Sequence, residues 1–585
     1  MLYLSISTIN NNKTKHIINT MKKLIECVPN FSEGVDMTII DKITDEIKKV
    51  DGVSLIDVDP GKATNRTVVT IVGTPDEVIE AAFQAVKKAQ ELIDMRNHKG
   101  AHPRFGATDV CPLVPVANIT MEETVVYAHK LAKRIGEELN IPVYCYEAAA
   151  REAKRKNLAV CREGEYEAVS RRIGTPEWKP DFGPAEWNES VAKSGVTAVG
   201  ARNFLVAYNV NLNTTSTRRA NAVAYDVRER GRVKTVDGTP NGKPVLDENG
   251  EKVWAPGMLK SVKAIGWFIE EFGIAQISMN LTDISITSMH EAYEAVYERC
   301  NARGLRVTGS EMVGVVPLNA MLEAGKYFLR KQNRSLGISD REIIKIAVKS
   351  LGLDELYPFD PDKKIIEYIL ENEEKKGKKL IDMNLTEFVH ETGSESPAPG
   401  GGSIAAYMGS MGSALATMVA NLSSHKAGWD ARWEEFSNWA EKGKFYHDAL
   451  LNLVDADTNA FNKIMDALSL PKSNPTEVAA RKEALQAATK FAIEVPFKTM
   501  TLCYESMEVI KAMAEIGNPN SVTDAGVGAL AARSGVIGAY YNVKINTGGL
   551  DDKAYVEDIL ARCKDIVSKA IALEAEIMAI VESKI

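Results

Sequence analysis

Cysteine is scarce in this sequence and scattered where it occurs. The seven residues, Cys27, Cys111, Cys145, Cys161, Cys300, Cys503 and Cys563, are odd in number and include no CxxC pair. That spacing indicates neither a zinc knuckle nor a disulfide framework. Free thiols fit a reducing compartment, so a cytoplasmic location is expected. A basic surplus is missing too: 71 Lys and Arg face 79 Asp and Glu, for a net charge of -8. Nucleic-acid binders usually carry the opposite balance, so no nucleic-acid partner is expected. Histidine is rare, with eight in 585 residues. No cluster has metal-ligand spacing, so no metal is expected. One run, Ser403 to Ser424, lacks charge, but Gly, Ala, Ser and Met dominate it. Spanning helices carry more Leu, Ile and Phe, so a close-packed helix in a soluble bundle is expected and no membrane span. Residues 1–21 have neither the basic start nor the long apolar stretch of a signal peptide. They read as an N-terminal arm or the product of an upstream start codon, since the sequence restarts at Met21.

What is present is 45% apolar, enough for large cores. The length suggests roughly four domains at about 150 residues each. From Lys22 to about residue 203 the segments alternate. LIECV, VSLIDVD, RTVVTIVG, DVCPLVPV and PVYCY read as strands. MTIIDKITDEIKKV, PDEVIEAAFQAVKKAQELID and EETVVYAHKLAKRIGEEL read as helices. In the second of these Val78, Ala82, Ala85, Ala89 and Leu92 fall on one helical face. The order βαββαβ with an added αβ predicts an α+β sandwich. Residues 204–370 repeat the logic, interrupted by a Gly/Pro/Asn-rich stretch at 233–256 that reads as a protruding hairpin or loop. A charged run at 371–379 reads as a linker or a solvated helix end. Residues 380–585 change class to long Ala-rich segments, an all-α helical bundle.

Four features carry candidate chemistry. Asn97 to Asp109 holds His98, Lys99, His102 and Arg104, while Gly100, Pro103 and Gly106 forbid a regular helix. It is therefore a loop leading into a strand. His102 is either structural or a base that takes a proton from an attacking amine. Asp57 to Arg66 joins two strands; its Pro-Gly is turn chemistry, and Asp59 and Arg66 are expected at the same sheet end as the His loop. Gly400-Gly401-Gly402-Ser403 precedes a helix and offers free N–H groups to an anion, with close helix packing an equal explanation. The last is an apolar seam of Leu450, Val454, Phe461, Ile464 and Leu468, into which Asp457 falls while Asp455 points elsewhere. A carboxylate in such a stripe is either a buried structural partner or a functional acid/base.

The segments CVPNFSEG, DVDPGKATNRTV, HKGAHPRFGATDVCPLVP, DFGPAEW, GARNFLVAYNVNL, APGGGS, LVDADTNAF and GAYYNVKIN occur in this order from residue 27 to residue 546. On these the chain resembles the bifunctional formimidoyltransferase-cyclodeaminase family over residues 22–585. The resemblance implies two ferredoxin-like βαββαβ subdomains, 22–203 and 204–370, followed by a helical cyclodeaminase domain, 380–585. It implies His102 as transferase base and Asp457 as cyclodeaminase acid/base. It also implies a folate-binding stretch at Gly183, Pro184, Ala185, Glu186, Trp187, Asn188, Glu189, Ser190, Val191, Ala192 and Gly195. Asp59, Asn65, Arg66, Lys99, Arg104, Gly400, Gly401, Gly402 and Ser403 are candidate substrate contacts.

The implied activity transfers the formimino group of N-formimino-L-glutamate to tetrahydrofolate, expected in polyglutamylated form, and then cyclises the product with loss of ammonia. A homo-oligomer is expected. Two other readings use the same residues: a formyltransferase joined to a methenyltetrahydrofolate cyclohydrolase, and a non-catalytic folate-binding scaffold.

Overall fold

The computed structural model describes residues 23–61, 65–100, 103–239, 242–374 and 379–585. The expected arm at 1–21 and part of the charged run at 371–379 lie outside them. The chain divides into two units. The first runs to Ala320 and includes Leu351–Glu373; the second comprises Met321–Ser350 and Glu374–Ile585.

The first unit holds two larger sheets. Strands β1 (Leu24–Cys27) and β2 (Asn30–Phe31) lie end to end between β4 (Arg66–Gly73) and β5 (Thr108–Ala117), antiparallel to both. β3 (Val53–Gly61) closes the far side of β4. α1 (Met37–Lys48), α2 (Pro75–Leu92) and α3 (Met121–Glu138) are the long helices of this half. α1 starts where Asp36 accepts the Thr38 N–H, and α3 starts in a reciprocal Thr120–Glu123 capping box. The predicted face of α2 is the buried one: Val78, Ala82, Ala85 and Ala89 are inaccessible, against Ile40, Ile43 and Ile47 of α1. Each such isoleucine contributes about 1.5–3 kcal/mol of burial.

The added strand differs from expectation. β6 (Val143–Glu147) does not sit beside β5. A strand with no sequence prediction, β7 (Thr197–Ala201), lies between them, parallel to both. Its TAVGA sequence is buried at every position, so it has no apolar–polar alternation to betray it.

The second sheet is all antiparallel, with Val262–Ile269 at one edge, then Ile274–Leu281, Val206–Leu212 and Val307–Val313. In chain order it runs β8 (Val206–Leu212), α4 (Thr217–Val227), β11 (Val262–Ile269), β12 (Ile274–Leu281), α5 (Met289–Asn301) and β13 (Val307–Val313). α4 packs on β11 where Gly266 leaves room, and the Asn221 amide both donates to the Gly266 carbonyl and accepts its N–H, at 3.0 Å each. The 233–256 stretch is a loop whose base is a short pair, β9 (Arg232–Val233) with β10 (Trp254–Ala255).

The second unit is helical. Its long members are α8 (Gly401–Ser424), α9 (Trp433–Ser469), α10 (Pro475–Ile516), α11 (Val522–Asn546) and α12 (Lys553–Glu582). Glycine permits the close approach of α8: a Cβ on Gly409 would lie 2.2 Å from the Cys503 sulfur, and one on Gly412 would lie 2.7 Å from the Gly528 carbonyl oxygen. α8 is the one helix among the described residues long and apolar enough to cross a membrane, and its small residues face its neighbours instead. Residues 321–350, which carry most of α6 (Leu318–Lys331) and α7 (Asp340–Leu351), also belong to this unit. Leu329, Leu336 and Ile343 form a shared cluster there, and the Leu336 N–H donates to Ser437 on α9 at 3.0 Å.

Two candidate active sites

A cleft of about 1050 Å³ opens in the first unit, lined among others by Asn30, Arg66, Tyr146, Glu147, Arg162, Arg202, Lys263 and Asp283. Beneath it Asp109, at the start of β5, is fully buried. One carboxylate oxygen accepts the Phe105 N–H at 3.1 Å; the other is in close contact with Arg162 and 3.6 Å from Arg66. Burial pushes the Asp109 carboxyl up while the two guanidiniums oppose this. Burial likewise lowers Arg66 to about 10. Arg66 also donates to the Asn30 side-chain oxygen. One buried carboxylate thus fixes two guanidiniums at the cleft floor. Glu147 sits at the mouth with a backbone φ of 52°, a left-handed conformation uncommon for a side chain of this kind. Partial burial raises its carboxyl, opposed by Arg202 and Lys263.

Asn65 ties the two polar loops together. Its side-chain oxygen accepts the Gly34 N–H at 3.0 Å, its amide donates to the Lys99 carbonyl at 3.0 Å, and its own carbonyl is 2.8 Å from His98 Nε2. Arg104 Nε donates to His98 Nδ1 at 3.3 Å, so the ring hydrogen sits on Nε2 and faces Asn65. The remaining Arg104 N–H groups go to Glu165, Glu167 and the His98 carbonyl. The stretch after DFGP abuts the same loop: Gly195 pairs with Gly106, and a Cβ on Gly195 would lie 2.2 Å from the Phe105 carbonyl oxygen.

In the helical unit a smaller cavity of about 150 Å³ is lined by Gly400, Gly401, Asp457, Thr458, Phe461, Asn542 and Asn546, with Pro397, Ala398, Ala460, Ile464 and Ala492. Asp457 projects from α9 onto the first turn of α8. Ser403 donates its backbone N–H to that carboxylate, and its hydroxyl lies 3.4 Å away. Gly402 is the floor beneath: a Cβ there would lie 2.1 Å from a carboxylate oxygen. Burial raises the Asp457 carboxyl, and the Ser403 donors oppose the rise.

Family models match the chain over most of its length. "Formiminotransferase domain, N-terminal subdomain" covers residues 24–202, "Formiminotransferase domain" covers 207–371, and "Formiminotransferase-cyclodeaminase" covers 384–565. A formimidoyltransferase-cyclodeaminase from Gallus gallus is 41% identical over 96% of this chain and 100% of its own length. The chain belongs to the formimidoyltransferase-cyclodeaminase family. Single-activity relatives also match: a glutamate formimidoyltransferase from Thermoplasma acidophilum is 39% identical over 55% of this chain and 98% of its own, and a methenyltetrahydrofolate cyclohydrolase from Methylorubrum extorquens is 36% identical over 34% and 95%.

Against the family's two activities, the candidates from sequence land as follows. Asp457, Gly400 and Gly401 line one cavity, with Gly402 and Ser403 directly behind the carboxylate. Arg66 lines the cleft, and Asn65 braces its neighbourhood. His102 lies outside the described residues. Arg104 is spent on Glu165, Glu167 and His98, so it positions the loop and has no fork left for a substrate. Lys99 is exposed beside it, and Asp59 is exposed on the outer strand β3, away from the cleft lining. Of the 183–195 stretch, Val191, Ala192 and Ser194 are buried structural residues, Asn188 caps the short helix Glu189–Ser194, and Trp187 is exposed beside Tyr166. The apolar seam is only half a seam. Leu450 and Val454 are buried, but Phe461 and Leu468 are each 41% exposed, because beyond Asp457 the buried face of α9 passes to Ala460 and Ala467. Asp455 accepts the Leu380 N–H at 2.7 Å, a structural role.

Sequence reasoning missed Asp109, Arg162, Glu147, Arg202 and Lys263 in the cleft, and Asn542 and Asn546 in the cavity. Asp109, Arg202, Asn542 and Asn546 fall within quoted motifs. The i,i+4 spacing of the two asparagines was the available signal for a shared helical face.

Proposed function

We propose that the chain transfers the formimino group of N-formimino-L-glutamate to tetrahydrofolate at the cleft, then cyclises 5-formimidoyltetrahydrofolate to 5,10-methenyltetrahydrofolate at the Asp457 cavity, releasing ammonia. The carrying observation is that one chain holds both family modules and each has its own cavity built around fixed ionisable groups. In the transfer, N5 of tetrahydrofolate attacks the amidine carbon, the bond from that carbon to the glutamate nitrogen breaks, and the N5 proton is taken up while the departing nitrogen gains one. His102, by its position in the sequence between Gly100 and Pro103, is the base in this reading. The glutamate part brings two carboxylates, for which Arg162, Arg202 and Lys263 at the cleft are the matched cations.

In the cyclisation, N10 attacks the formimino carbon and the carbon–nitrogen bond to ammonia breaks. Asp457 accepts the N10 proton and returns it to the leaving nitrogen; one further proton from solvent balances the cationic product. The cavity is smaller than the roughly 300–1,000 Å³ of sites that enclose a whole drug-sized ligand. It therefore takes the reacting end of the folate and leaves the tail outside. The βαββαβ order of both sheets supports reading each as ferredoxin-like. A cytoplasmic homo-oligomer acting in histidine degradation completes the proposal. Support for self-association comes from exposed apolar side chains on two neighbouring helices: Met411, Met418 and Leu422 on α8, and Val527, Leu530, Tyr541 and Ile545 on α11.

The test is incubation of pure protein with formiminoglutamate and tetrahydrofolate, following methenyltetrahydrofolate absorbance and free ammonia. Absence of either signal overturns the two-step reading. The cyclohydrolase relative favours one second reading for the helical unit, in which water replaces ammonia. Faster turnover with a formyl than with a formimino substrate would select it.

A further inference from the structure

Ala255 and Pro256, at the return end of the 233–256 loop, wall a third cavity that neither active site uses. This pocket, of about 410 Å³, is lined by Asp226, Arg232, Gly257, Met258, Arg299 and Arg303 with three neighbours, and shares no residue with the cleft. Three guanidiniums face one carboxylate there. The two oxygens of Asp226 are divided, one to Arg232 and one to Arg303, so a single anion holds two forks side by side. Among the described residues Arg299 pairs with its exposed sequence neighbour Glu298, and its buried Nε meets no acceptor. With Glu298 counted, three guanidiniums stand against two carboxylates, a net charge of one positive. Like charges held together in a partly buried pocket repel, and an oxyanion relieves that cost while filling the guanidinium forks two bonds at a time.

The backbone is built to close the pocket. Gly231 has a φ of 67°, and a Cβ there would lie 1.9 Å from the Ala255 carbonyl oxygen; a Cβ on Gly257 would lie 2.0 Å from the Arg228 carbonyl oxygen. Both ends of the loop are thus pinned so that its return strand becomes the pocket wall. Arg230, stacked 3.8 Å over the Trp254 ring, holds the same closure from outside.

We propose that this pocket binds a small oligo-anion, bearing phosphate or carboxylate groups, at a site distinct from both active sites. The test is calorimetry on the full chain at low ionic strength with inorganic pyrophosphate in one arm and citrate in the other. Saturable binding of either probe is expected, and the tighter arm identifies the source. Arg299→Gln should weaken it tenfold or more, since a charge-assisted hydrogen bond is lost. Met258→Glu, at a residue 47% exposed and tolerant of change, should do the same by placing a carboxylate in the mouth. Formimino transfer should be unchanged in both variants. If Arg299→Gln does not fold, Met258→Glu decides alone. No saturable binding of either probe, or binding unaltered in the folded variants, overturns the proposal.

Discussion

Adding one methyl group at Gly402 tests whether the Asp457 carboxylate does chemistry or only packs. Gly402 lies in the first turn of α8, and an alanine Cβ there would lie 2.1, 2.4 and 2.5 Å from the three atoms of the Asp457 carboxyl group. Those distances are too short to survive, so the carboxylate must rotate away from the Ser403 N–H. The backbone itself gains: alanine is about 1 kcal/mol better than glycine in a helix. The displaced carboxylate loses charge-assisted hydrogen bonds of about 1.5–3 kcal/mol. The two effects partly cancel, so the melting temperature should fall by only a few degrees. Activity should not cancel. A general acid/base moved off its proton costs about 10²- to 10⁴-fold. Gly402→Ala should therefore transfer the formimino group normally, cyclise it slowly, and accumulate 5-formimidoyltetrahydrofolate. Single-turnover absorbance and a thermal melt on one sample read both quantities. Wild-type cyclisation in the folded variant would refute the catalytic placement of Asp457.

Asp457→Asn, nearly isosteric but not titratable, should fold and transfer normally yet lose cyclisation by the same 10²- to 10⁴-fold, measured by ammonia release. Asp109→Asn should instead destabilise the first unit by about 3–5 kcal/mol, because Arg66 and Arg162 are left buried without their shared carboxylate; denaturant unfolding reads this. Glu26 is fully buried, with its carboxyl pushed up by burial to about 7 from an ordinary 4.5. The folded chain then holds a proton that the unfolded chain has released, so stability falls as pH rises from about 4.5 to 7 and is flat above. The total is roughly 3 kcal/mol, and Glu26→Gln should remove the slope. His102→Ala should abolish transfer while leaving cyclisation of supplied 5-formimidoyltetrahydrofolate intact; equal loss of both would refute separate sites.

What was legible in the sequence is what periodicity encodes. β4 begins at Arg66 and ends at Gly73 as its β-branched run predicts, and the buried face of α2 is the predicted one. β7 was invisible because it is buried on both sides. The seam on α9 departs from prediction because spacing of large apolar residues marks one face, while the packed face beyond Asp457 is carried by the small residues Ala460 and Ala467. Asp109 looked like any strand-initial aspartate; its partner Arg162 is 53 residues away, and only the folded chain brings them together. Arg104 looked like a substrate fork for the converse reason. The sequence shows a guanidinium but not the two carboxylates, Glu165 and Glu167, that occupy it.

Asp457 stands between two opposing surroundings. The buried upper half of the seam disfavours its charge, while the first turn of α8 favours it through the Ser403 N–H and the positive end of the helix dipole. Burial alone favours the neutral acid, which can give a proton but not take one. The helix terminus alone favours the carboxylate, which can take a proton but not give one. A shuttle from N10 to a leaving nitrogen requires both states within reach at one pH. The glycine run serves that balance directly: any side chain at residue 402 would separate the carboxylate from the donors that offset its burial.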